Sequence, residues 1–151
     1  SNIAPLSSIQ SMTSTQIEIA RQAENYIKEN LEQLICVTEH TLHSGVYTRT
    51  VFMPKGSVSA GVVISVPTTL ILQGKMAIYI GDEVKHIDGY NVVTALGNRK
   101  QIAYAIEDSY ATLIFKTNAK TIIEAEQEMT DECSSLLSRH PESINIIKKG
   151  V

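Results

Sequence analysis

Between residues 36 and 117 the chain breaks into short runs rich in Val, Ile, Thr and Tyr, separated by glycine-containing or charged turns. The runs cover 46–53, 59–66, 69–73, 75–80, 84–87, 91–95, 101–106 and 111–117. β-Branched and aromatic side chains fit a pleated, half-buried surface, so each run is predicted to be a strand. Pro54-Lys55-Gly56, Gly74, Gly81-Asp82, Asp88-Gly89, Gly97-Asn98 and Glu107-Asp108 punctuate them. Many short strands at this spacing pair antiparallel in a sandwich or barrel, and closing the sheet removes its adhesive edges. The expectation is a mainly β fold, an antiparallel barrel over 37–118.

Helical periodicity flanks this region on both sides. Thr15 and Glu18 fit a capping box ahead of a stripe at Ile19, Ala23, Ile27, Leu31 and Leu34, which predicts a helix over 15–35, in an N-terminal segment taken as 15–36. Residues 1–14 are small and polar and read as a flexible arm. Thr121 and Glu124 repeat the capping signature before a second stripe at Ile122, Ala125, Met129, Cys133, Leu136 and Leu137. Pro141 disfavours helix at His140 and ends that stripe. Residues 119–151 are thus a C-terminal helix and a tail whose Ile144, Ile146 and Ile147 are apolar enough to dock.

At 151 residues with 43% apolar content the chain is expected to form one domain with an ordinary core. A net charge of −3 gives no electrostatic ground for nucleic-acid binding. No apolar run approaches the roughly 18 residues of a membrane span. Cys36 and Cys133 lie in no metal-binding or redox spacing and are expected to be reduced, with the cytoplasm as the expected location.

The stretch Gly89–Lys100, G-Y-N-V-V-T-A-L-G-N-R-K, resembles the second motif of the cupin superfamily, G-x5-P-x-G-x2-H-x3-N. Gly89 and Gly97 match its glycines. Ala95 stands for the proline, Lys100 for the metal-binding histidine and Tyr104 for the asparagine. H-S-G-V-Y-T-R (43–49), M-P-K-G-S-V (53–58), I-L-Q-G-K (71–75) and N-R-K-Q-I-A-Y-A-I-E-D-S (98–109) resemble small cupin-like proteins of tailed bacteriophages. The resemblance implies a double-stranded β-helix, or jelly roll, with degenerate metal motifs. Anchored on Gly56 and Gly74, the first cupin motif would place its two histidines at Val62 and Ile64 and its glutamate at Pro67, Thr68 or Thr69. No His, Asp or Glu occurs between Met53 and Ile80, and a protonated lysine is a poor ligand. No cofactor and no metal of the usual cupin kind is expected.

Two clusters remain as candidates. Lys100 and Arg99, with Tyr104, are expected to face an anion such as a carboxylate, phosphate or sugar acid. Unless a ligand takes that part, Glu107 or Asp108 would balance Lys100. Glu39, His40 and His43 are the only grouping of ligand-type side chains, although H-x2-H does not put both imidazoles on one face of a strand or helix. The reading that follows is a non-catalytic, metal-less, phage-encoded barrel that acts by self-association, as a homodimer or higher oligomer, or by binding a protein partner. The alternatives are a small-anion or sugar-binding barrel using Lys100, and a metal-dependent enzyme using Glu39, His40 and His43.

Overall fold

The computed structural model describes residues 6–150. Its elements are β1 (Ser8–Ile9), α1 (Ser14–Asn30), β2 (Val37–His43), β3 (Val46–Met53), β4 (Val58–Ala60), β5 (Thr68–Tyr79), β6 (Val84–Ala95), β7 (Ile102–Ala105), β8 (Ser109–Lys116), α2 (Ile122–Met129) and β9 (Ile144–Lys149). The mainly β architecture with a helix on each side is as expected. None of the helices among the described residues is long and apolar enough to cross a membrane.

The strands run in the order β1-β6-β5-β8-β3-β2-β9, while β4 pairs with β7 and β7 with β5. One continuous nine-stranded sheet therefore branches at the long β5–β6 hairpin. Along one edge of β5, residues 69–73 pair with β8 and residues 76–79 pair with β7. A strand that changes neighbour part-way must bend, and Gly74 sits at the change with φ +128°. A Cβ there would collide with the Ser109 side chain and lie 2.8 Å from Asp108 O. Gly74 stands opposite Gly89 in the ladder, so the two glycines bend one hairpin instead of dividing four short strands. This corrects the expectation that Gly74 and Asp88-Gly89 are turns.

Alternation then builds the core. Leu70 and Leu72 from one half of β5, Met76 and Ile78 from the other, and Ile87, Val93, Ala103 and Ala105 are buried together. A second cluster joins Leu42, Tyr47, Val62, Ile64 and Phe115 to Ala125, Met129 and Leu136, so α2 and the turn after it close that end.

The flanks differ from expectation in register. The capping box is Thr13 with Gln16, not Thr15 with Glu18, and the helix stops at the Leu31 cap. Ala20 is its buried residue, whereas Ile19, Leu31 and Leu34 are exposed, because α1 packs through its Ala20–Glu24 face onto β4 and β7. Residues 1–5, part of the expected arm, lie outside the described residues. Leu6, Ile9 and Met12 of that arm are buried, and β1 pairs in parallel with the end of β6. The second helix ends at Met129, ahead of two short 3-10 turns at Cys133–Ser135 and Leu137–Arg139. The tail docks as β9, parallel to β2.

Candidate functional site

The folded sheet holds a partly open cavity of about 160 Å³. Its wall is largely aliphatic, with Val62, Ile64, Leu70, Leu72, Met76, Ile78, Leu113, Met129 and Leu136 among the lining residues. Cys36, Arg49, Ser59, Arg99, Gln101 and Thr112 supply its polar side chains. Among the described residues, no Asp, Glu or His lines it.

Arg49 comes from β3, where Tyr47 and Arg49 both point inward. Its Nη1 donates to Glu126 Oε2 at 2.9 Å and to the Tyr47 hydroxyl at 3.3 Å, and its Nη2 donates to Ser138 Oγ at 2.7 Å. Ser138 Oγ in turn donates to Glu126 Oε2, and Arg139 Nε donates to Glu126 Oε1 at 3.0 Å. Burial alone would raise the Glu126 pKa. The Arg49 charge and the hydrogen bonds from Arg49, Arg139 and Ser138 outweigh that and hold the carboxyl below its ordinary value.

His40 extends this cluster towards β9. Asn145 Nδ2 donates to Ser138 O, which turns its Oδ1 towards His40 Nε2 at 2.7 Å. Nε2 therefore carries the proton, and Nδ1 accepts from the Tyr47 hydroxyl at 2.7 Å. Burial lowers the His40 pKa, so the imidazole is neutral. Glu39 and His43 lie on the opposite face of β2, Glu39 paired with Lys148 and His43 exposed. The expected Glu39, His40 and His43 grouping is thus not assembled by the strand.

Arg99 is fully buried, yet no carboxylate among the described residues pairs with it. Its acceptors are all neutral: Gln101 Oε1 at 3.2 Å, Leu96 O at 2.8 Å, Val66 O at 3.4 Å and Thr68 Oγ1 at 2.7 Å. Desolvation pushes its pKa down to about 10, which leaves it charged at neutral pH. Gln101 spends its carbonyl on Arg99 Nε, and its buried Nε2 has no hydrogen-bond partner.

The expected trio of Lys100, Arg99 and Tyr104 is divided by strand alternation. Arg99, Gln101 and Ala103 reach the cavity. Lys100 points the other way, beneath α1, where Nζ donates to Gly61 O at 2.8 Å and pairs with Glu24 at 3.2 Å. Its counter-charge is Glu24 and not Glu107 or Asp108. Tyr104 is exposed on β7. Sequence reasoning missed Arg49, Glu126 and Gln101. The only local signal for the first was a charged residue at an inward-parity position of an apolar strand, V-Y-T-R-T-V-F-M.

No protein-family model matches the chain, and no curated protein does. Solved structures do. A cupin superfamily protein from Desulfitobacterium hafniense is 15% identical over 58% of this chain and 84% of its own, with a TM-score of 0.45. An RmlC-like cupin family protein with a double-stranded β-helix fold from Methanocaldococcus jannaschii is 18% identical over 57% and 83%, at 0.45. The neighbours are cupins. An uncharacterized Klebsiella pneumoniae protein with a double-stranded β-helix domain is 13% identical over 62% and 84%, at 0.46. A likeness at this level carries no metal, substrate or activity across to this chain.

Proposed function

We propose that the protein is a non-catalytic small-molecule-binding barrel whose interior encloses one ligand. The observation that carries this reading is the unfilled, partly open space of about 160 Å³ lined mainly by aliphatic side chains. Protein interiors are close-packed, and an apolar cavity of about 150 Å³ takes up benzene. The ligand is therefore about that size or slightly larger, with a mainly apolar body. The lining residues include no carboxylate or imidazole to move a proton, which favours binding over catalysis. Titration with benzene, followed by the methyl NMR shifts of Leu72, Met76, Ile78 and Leu136, tests this. Saturable shifts confined to those residues are expected. The absence of such shifts both with benzene and with an apolar acid or amide of similar size would overturn the reading.

Self-association is a second reading, favoured by a different observation. β9 closes one edge of the main sheet, and all six of its residues are exposed, with Ile144, Ile146 and Ile147 among them. An open edge with apolar side chains is a template for another strand. On this reading the protein is a dimer by light scattering, and Ile146→Pro returns it to a monomer. A monomeric wild type at high concentration removes it.

A further inference from the structure

We infer that the ligand of this cavity is a small monocarboxylate, its acid group held between the Arg99 guanidinium and the Gln101 side-chain amide and its apolar body packed against Leu70, Leu72, Met76 and Ile78. This rests on the reading of the cavity as a ligand site and adds the chemistry of the ligand.

A guanidinium has five N–H donors, and Arg99 meets four acceptors, one of them at the long distance of 3.4 Å. Gln101 Nε2 adds two N–H groups that are buried and unpartnered. Buried donors are normally satisfied, and buried charges are normally paired. Here a full positive charge and an orphan amide stand side by side on one face of one segment, with Arg99 Nε 3.2 Å from Gln101 Oε1. Both line the same apolar cavity. What they lack is acceptor oxygens bearing one negative charge, and a carboxylate supplies two, one for the remaining Nη2 N–H of Arg99 and one for Gln101 Nε2.

The rest of the wall narrows the class. Arg49, the other cation lining the cavity, is already paired with Glu126, which it shares with Arg139, so a second negative charge on the ligand would have to compete with that carboxylate. That disfavours phosphate, which at neutral pH carries more than one charge. Aliphatic side chains make up most of the remaining lining, which disfavours sugar acids, whose hydroxyls would be buried without partners.

Calorimetric titration at pH 7 with 4-methylpentanoate, 4-methylpentanamide, benzene, inorganic phosphate and gluconate tests the inference on the full chain. The carboxylate is expected to bind about tenfold or more tightly than its amide, the difference a hydrogen bond to a charged group makes. Gln101→Leu is expected to weaken the carboxylate about tenfold. Arg99→Met should erase the preference for acid over amide, and if that variant fails to fold, Gln101→Leu carries the test. An amide that binds as well as the acid would overturn the inference, as would phosphate or gluconate binding more tightly. Benzene binding without any carboxylate binding overturns it too, while leaving the cavity reading intact. If neither benzene nor either pentanoyl compound binds, both fall.

Discussion

Two arginines line one cavity, and the protein treats them in opposite ways. Arg49 is locked to Glu126, which also receives Ser138 and Arg139. Arg99 is surrounded by carbonyls, a hydroxyl and an amide, with no carboxylate among the described residues paired to it. The first arrangement finds its counter-charge within the chain, although the buried Arg139 Nη2 has no hydrogen-bond partner. It joins β3 to α2 and, through His40 and Asn145, to β9, so it holds the segment that covers one end of the cavity. The second is incomplete, and an incomplete buried charge is what a binding site needs before its ligand arrives. A charge alone therefore does not mark a ligand site. What distinguishes the two is whether the fold itself has already supplied the partner.

The contrast can be broken most directly at its closed end. Glu126→Gln strands Arg49 and Arg139 in the interior and is expected to cost about 3–5 kcal/mol in denaturant unfolding. The pH profile should show the same cluster in two stages. His40 has a folded pKa below its ordinary 6.5, so the unfolded chain takes up a proton first, and stability falls as pH drops below about 6.5. Glu126 has a folded pKa below 4.5, so its contribution is full above 4.5 and is lost as pH falls through the lower folded value. Urea midpoints of wild type and His40→Gln between pH 7 and 4 check this, and equal slopes for the two would remove His40 from the account. At the open end, Arg99→Met should cost only about 1–2 kcal/mol, because the acceptors it strands are offset by the loss of an uncompensated charge. A cost equal to that of Glu126→Gln would mean that the two arginines do the same structural job. Tyr104→Ala should change stability by less than about 0.5 kcal/mol and leave cavity binding untouched, since the ring is exposed on β7.

Much of the fold was legible. The strand at 46–53 matches β3, and the last two barrel runs, 101–106 and 111–117, lie within a residue or two of β7 and β8. The run at 59–66 shrinks to β4 at 58–60 and an isolated bridge from Ile64 to Arg99. β2 is missing from the strand runs read in the sequence because Glu39, His40 and His43 mask the alternation of Thr38, His40 and Leu42. Ser44-Gly45, with φ of +50° and +74°, is a two-residue hairpin signal that would have revealed it. The Glu126 partner of Arg49 was beyond reach, since the two are 77 residues apart in sequence and meet only when α2 folds over the sheet.

Local composition determined that this chain would be β-rich, where most strands lie, and that a helix would cap each side, because propensity, alternation and capping act over a few residues. The neighbouring cations Arg99 and Lys100 were visible as a pair with an interest in an anion. Only the tertiary structure decided which of them looks into the cavity. On an extended chain consecutive side chains point to opposite faces, and pairing with Ile64 sends Arg99 inward and Lys100 to Glu24 under α1. That single step of register separates an internal ion pair from a buried charge that no carboxylate among the described residues meets.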